Sequence, residues 1–265
     1  MVNVPIYSSD GKKMSDIQLP AVFSEPLRVD LIKRASISDQ TKQYQPKGND
    51  VWAGMKTSAK YRGRKDDYGS LKNQGGAMLP REVQPKGKHG KVRRIPSSVK
   101  GRRAHPPKAE KIIVEQINKK EYQKALHSAI SATADTKLVI ARGHRVSEKM
   151  QFPIILDNSA ISIQKTSEAK KMFETIGLSD DMKRACSAKR RSGVGSRRPK
   201  MKYPRSALLV VSDVQKSNLA KATRNLAGFD VVSASKLRVI DLAPGTFAGR
   251  LTAYTKDALE QISKR

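Results

Sequence analysis

Cysteine is all but absent from this chain: Cys186 stands alone among 265 residues, which excludes an internal disulfide and any zinc cluster built from thiolates. Long apolar runs are missing as well. Nothing approaches the roughly 20 consecutive apolar residues that cross a bilayer as a helix. The first 25 residues carry no charged head followed by an apolar stretch, so the expectation is a soluble protein kept inside the cell, with no membrane partner. Acidic residues are few: 24 Asp and Glu face 53 Lys and Arg, for a net charge of +29. Cations at that density repel one another unless a polyanion neutralises them, which points to nucleic acid.

The signatures of catalysis are missing too. Gly193-Val194-Gly195 begins like a dinucleotide loop, but it lacks the third glycine and follows no apolar strand. No G-x-x-x-x-G-K-[ST] and no G-x-S-x-G occurs, and His105 and His144, with no partner at catalytic spacing, read as solvated or RNA-facing. The four histidines, His89, His105, His127 and His144, show none of the close pairings of a metal site. Of the two adjacent carboxylate pairs, Asp66-Asp67 lies among cations and Asp180-Asp181 at a helix start, where it favours the helix dipole. The expectation is a non-enzymatic protein with no cofactor and no metal.

What the chain does have is a basic arm. Residues 46–111 carry 18 Lys and Arg against 5 Asp and Glu, with 9 Gly, 6 Pro and only seven Ile, Leu or Val, too few for a core. Stretches this long without periodicity are functional or disordered, and the composition implies disorder in the free protein. In its last part, KVRRIPSSVKGRRAHPPKAEK, cations recur beside Pro96, Gly101, Pro106 and Pro107. Proline stiffens such a ribbon and lowers the entropy lost on docking, while the planar arginine fork bridges phosphates and stacks on bases. Trp52, Tyr61 and Tyr68 interleave with Lys56, Lys60, Arg62, Arg64 and Lys65, a mixture suited to unpaired bases, although aromatics also dock on their own domain. A second basic stretch, 183–205, holds ten Lys and Arg, no acid, and Gly193, Gly195, Pro199 and Pro204 to prevent regular structure; Cys186 reads as a small side chain in a helix.

The rest reads as an α/β core comprising residues 1–45 and 109–265. Val2 to Tyr7 is β-prone, Ser9-Asp10-Gly11 a turn, and a helix starts at Ser24 with Pro26 in its first turn and Leu27, Leu31 and Ala35 on one face. Residues 109–134 read as two helical segments, the second opened by Asn118 and Glu121 in the manner of a capping box. FPIILD (152–157) and ALLVVS (207–212) have the continuous apolar pattern of parallel strands covered on both faces. Each precedes a helical stripe, Met172, Phe173 and Ile176 stopping at Gly177, and Leu219, Ala222 and Leu226 stopping at Gly228. A strand over 230–233, an apolar turn at 237–242, a strand at 251–254 and a helix through Leu259 and Ile262 complete a three-layer α/β fold with a mainly parallel sheet.

VKGRRAHPPKAEK (99–111), the ARGH of 141–144, the VRRIP of 92–96 and the LRVIDLAPG of 237–245 together resemble the large-subunit ribosomal protein four family in its archaeal and eukaryotic form, across essentially the whole chain. The resemblance implies a Rossmann-like core without a nucleotide, bound to rRNA in the cytoplasmic large ribosomal subunit. It also implies a long loop, 46–108, that reaches towards the peptide exit tunnel, where its tip and another ribosomal protein's hairpin narrow the path of the nascent polypeptide. A hairpin of this length reaches at most about 100 Å when fully extended.

The rRNA-binding candidates are Arg62, Arg64, Lys72, Arg81, Lys86, Lys88, Lys91, Arg93, Arg94, Lys100, Arg102, Arg103, His105 and Lys108 in the arm, with Arg190, Arg191, Arg197, Arg198 and Lys200 in the 183–205 insert. The tunnel-tip candidates are Gln74, Gly75, Gly76 and Met78. There the chain departs from the Gly-Arg-Gly expected of the family, which would make the constriction less positive and more apolar. The residues alone also leave open a free regulatory RNA-binding protein acting on mRNA, or an RNA-processing enzyme that uses the α/β core.

Overall fold

The computed structural model describes residues 3–147, 150–198 and 201–264. It divides into two compact units, one of residues 1–43 and 114–265 and the other of residues 44–113.

The first unit is built on a six-stranded sheet. Its strands are β1 (Asn3–Tyr7), β2 (Lys13–Gln18), β5 (Ile154–Leu156), β6 (Leu208–Val211), β7 (Asp230–Ser233) and β8 (Thr252–Thr255). They lie in the order β2-β1-β5-β8-β6-β7, and only the β1–β2 pair is antiparallel. The inner strands β5, β8 and β6 are buried along their whole length, which is why FPIILD and ALLVVS run apolar without alternation. Ile155, Leu208, Val210 and Tyr254 face one core, while Ile154, Leu156, Leu209, Val211 and Ala253 face the other. Each fully buried Leu or Ile contributes about 1.5–3 kcal/mol by leaving water. Strand β2 is exposed along nearly its whole length, so its residues show no apolar period and the sequence pattern gives no sign of it.

On the first face pack α1 (Val29–Thr41), α2 (Lys119–Ser131), α7 (Val239–Leu242) and α8 (Lys256–Ser263). The second face is covered by α3 (Thr136–Ala141), α4 (Thr166–Ile176), α5 (Ser179–Cys186) and α6 (Asn218–Thr223). Helix α4 buries Met172, Phe173 and Ile176 and ends at Gly177, whose φ of 108° is the left-handed stop that glycine permits. The three layers are those expected.

Three local expectations are corrected. The first helix starts at Val29 and not Ser24, because residues 25–28 are held extended by hydroxyls of α2: Ser131 donates to the Glu25 carbonyl, and Ser128 donates to that of Pro26 while accepting from the Arg28 N–H. The buried face is therefore Ile32, Ala35, Ser36 and Asp39, and Leu27 is exposed. Of the two helices expected over 109–134 only α2 forms, behind a capping box of Asn118 and Glu121. Residues 112–117 instead form no regular element, with the Ser38 hydroxyl donating to the Glu115 carbonyl at 2.7 Å and the Glu115 N–H donating to Thr41 at 3.1 Å. Those bonds replace helical ones, and Ile112, Ile113 and Val114 favour extended backbone. Finally, the 183–205 stretch is not irregular from its start, since α5 continues to Cys186, which is exposed.

In the second unit β3 (Arg81–Val83) and β4 (His89–Val92) form a small antiparallel pair, and Lys60 bridges to Arg81 on the other side. Ala59 and Leu71 are buried there, while nearly all else is exposed or half-buried. Gly54 (φ +78°) allows a close backbone approach in this unit: a Cβ at that position would lie 2.5 Å from the Gly101 carbonyl oxygen and 2.6 Å from the Arg102 nitrogen.

Candidate nucleic-acid interface

In residues 44–113 short structure forms without a core, and the cations are left facing outward. Arg64, Lys72, Lys86, Lys88, Lys91, Lys100, Arg102, Arg103, His105 and Lys108 are exposed; Arg62, Arg81, Arg93 and Arg94 are half-buried. Three of the half-buried arginines brace the unit. Arg62 donates to the Tyr68 carbonyl at 2.9 Å, Arg81 to that of Ala77 at 3.4 Å, and Arg93 forms an ion pair with Glu82 at 2.8 Å while also donating to the Val99 carbonyl. The aromatics among them keep much of their surface open: Trp52, Tyr61 and Tyr68 are 62%, 60% and 77% exposed, although the Tyr61 ring lies beside Gly63 and that of Tyr68 beside Gly87. Flat rings and unpaired guanidinium groups on one surface can stack on bases and contact phosphates together.

Gln74, Gly75, Gly76 and Met78 lie in an exposed turn over 72–78 that includes two left-handed residues, Asn73 and Gly75. In the 183–205 stretch Arg190, Arg197 and Arg198 are exposed and Arg191 is half-buried, with Lys189 and Lys202 bridged to each other. Lys200 lies outside the described residues.

The expectation of a solvated His144 is overturned. Its side chain is buried, and its Nε2 accepts the backbone N–H of Leu251 at 3.3 Å, which puts the ring proton on Nδ1, donated to Asp181 at 3.2 Å. Asp181 also accepts from the Ser206 hydroxyl at 2.5 Å, the Arg145 N–H at 3.0 Å and the Arg184 guanidinium. Burial by itself would raise this carboxyl, but the bonds from His144, Arg184 and Ser206 outweigh it and hold the group well below the usual carboxylate range. A Ser, a His and an Asp meet here, yet no catalytic relay results: the serine bonds the aspartate rather than the imidazole, and Nε2 is occupied by backbone. The cluster ties α5 to the starts of β6 and β8.

Over this cluster opens a cavity of about 730 Å³ with Arg142, Arg184, Arg205 and Arg250 in its lining, together with Leu27, Val29, Leu138, Pro244 and Phe247. It escapes sequence reading because its arginines come from four separate segments; ARGH is the only local sign. Among the described residues no cluster of three His, Cys, Asp or Glu could hold a metal, and no helix is long and apolar enough to cross a membrane.

Comparison with known proteins places these surfaces in context. The sequence model of the ribosomal protein L4/L1 family matches residues 17–265. The chain is 48% identical to the large ribosomal subunit protein uL4 of Methanocaldococcus jannaschii over 98% of both proteins, and 45% identical to that of Methanococcus maripaludis over the full length of both. It is 41% identical to the counterpart in Saccharolobus islandicus, over 99% of this chain and 96% of the relative.

Proposed function

Because the chain belongs to the ribosomal protein L4/L1 family, we propose that it is a structural, non-enzymatic constituent of the large subunit of the cytoplasmic ribosome, where it binds rRNA and neighbouring ribosomal proteins. The observation that carries this reading is likeness over the full length, since core and basic unit are matched together by relatives named as large-subunit proteins. The exposed cations of residues 44–113 and of 190–198 neutralise rRNA phosphates, and Trp52, Tyr61 and Tyr68 meet unpaired bases. The basic unit reaches towards the peptide exit tunnel, and the turn with Gln74, Gly75, Gly76 and Met78 meets the nascent polypeptide beside another protein's hairpin. Residues 73–78 carry no cation of their own, which makes that stretch of wall more neutral than a Gly-Arg-Gly turn would.

The test is sedimentation of ribosomal subunits through a gradient after a high-salt wash. Retention on the large subunit is expected, because loosely held basic proteins are stripped when counterions compete. Release into the soluble fraction would instead mark a free RNA-binding regulator or an enzyme.

A further inference from the structure

The cavity above the His144–Asp181 cluster belongs to none of the surfaces assigned so far. Four guanidinium groups line it, and two carboxylates answer them: Asp181 pairs with Arg184, while Asp230 serves both Arg205 and Arg250. His144 has both ring nitrogens engaged, Nε2 by the Leu251 N–H and Nδ1 by Asp181. Arg142 has no carboxylate partner among the described residues; it donates only to the carbonyls of Pro244, at 2.6 Å, and Phe247. Burial, followed by repulsion from Arg250, Arg184 and Arg205, pushes its guanidinium down to about 10. Like charges gathered in a half-buried cavity with too few acids leave it complementary to an anion.

The wall beside the arginines is apolar and uncovered. Phe247 is 73% exposed, and Leu27, Val29 and Pro244 continue its surface. The floor is rigid, since Arg250 is fully buried and donates to the Ser206 and Asp241 carbonyls and to Asp230, which leaves little to order on binding. A fork for phosphate beside a free aromatic face is the chemistry that holds an unstacked base and its phosphate.

We propose that this cavity binds a single unpaired nucleotide of RNA, its phosphate held by Arg142 and Arg205 and its base stacked on Phe247. The proposal rests on the reading of the chain as an rRNA-binding protein and adds to it a defined nucleotide site on the core, formed without the basic unit's residues. Acidic protein segments would match the charge but would leave the exposed ring without a planar partner.

The test places a reporter in the cavity. In the full chain carrying Trp52→Phe and Phe247→Trp, emission from the introduced indole is followed during titration with a single-stranded RNA hexamer, the same sequence as a duplex, 5′-AMP, inorganic phosphate and an oligoglutamate peptide. Saturable quenching by the hexamer is expected, with roughly tenfold weaker binding by 5′-AMP, which lacks flanking phosphates. Arg142→Gln should weaken the hexamer signal about tenfold, as loss of one charge-assisted pair does, and Arg142→Lys should restore part of it. In the chain with native Trp52, Phe247→Ala at its exposed position should release the same nucleotide from ultraviolet crosslinking to the core.

A silent reporter while the chain still retains an rRNA fragment on filters would sink the cavity proposal alone; failure to retain any rRNA would sink the functional reading. Equal affinity for 5′-AMP and hexamer would reassign the cavity to free nucleotides. Preference for duplex or for oligoglutamate would also overturn the proposal.

Discussion

Arg184 holds Asp181 side-on, Nε to Oδ1 at 2.7 Å and Nη2 to Oδ2 at 3.2 Å, across one turn of α5. The aspartate is fully buried and the arginine largely so, which shields the pair from water and salt. Breaking such a pair by removing one partner leaves the other charge buried and uncompensated, at a cost of about 3–5 kcal/mol. Asp181→Asn should therefore lower the stability of the core by about 3 kcal/mol, read as the urea midpoint. A change below about 1 kcal/mol would show that water reaches the cluster.

The same carboxyl sets a pH dependence. Its pKa in the folded chain lies well below the ordinary 3.8, so the folded state binds this proton less readily than the unfolded state. The stabilisation is complete above that ordinary value and drains away as pH falls through the folded one. Melting of wild type and Asp181→Asn compared from about pH 7 down to about pH 3 should show a constant gap that narrows only at the acid end. A gap that narrows towards alkaline pH would refute the assignment.

RNA binding by the basic unit should be graded. Arg102 and Arg103 are both exposed, and removing one phosphate-neutralising cation reduces the slope of log affinity against log salt by roughly 0.7–0.9. Arg102→Ala with Arg103→Ala should flatten that slope by about 1.5 and weaken binding without abolishing it, measured by filter retention across salt. Complete loss from either single change would mean a specific anchor instead of shared neutralisation.

Geometry should count separately from charge. Gly54→Ala removes no cation, yet its new Cβ meets the Gly101 carbonyl and the Arg102 nitrogen, and its φ of +78° is strained for alanine. Strain of about 1–3 kcal/mol should lower RNA affinity while the salt slope stays as in wild type. Unchanged affinity would mean that this backbone approach plays no part in the RNA complex.

The core should survive without the basic unit. Replacing residues 44–113 by a short Gly-Ser linker leaves the Ser38 and Thr41 bonds to Glu115 in place, so circular dichroism and thermal melting should report a folded α/β domain with greatly reduced RNA retention. An unfolded product would make the two units interdependent.

Much of this fold is legible in the sequence because burial writes itself into period. The inner strands and α4 are plain from FPIILD, ALLVVS and the Met172–Ile176 stripe, and Asn118 with Glu121 marks the start of α2. Strand β2 is not legible, since an exposed edge carries no apolar signal. The irregular run through Glu115 escapes notice because its partners, Ser38 and Thr41, lie more than seventy residues away in the chain. His144 misleads for the same reason, its burial depending on Asp181 and Leu251. The exposed cations are readable as a class from charge density alone, whereas the four-arginine cavity requires the fold.

The clasp between Thr41 and Glu115 also bears on how long the basic excursion is allowed to be. With both ends fixed on the core, the chain between them enters the folding free energy chiefly as a closed loop, and the entropy of closing a flexible loop grows only logarithmically with its length, by about 0.6 kcal/mol per doubling. Halving or doubling residues 44–113 should therefore shift the core's melting little. Their length is left to be set by the distance to be spanned, and stability of the domain that carries them places almost no ceiling on it.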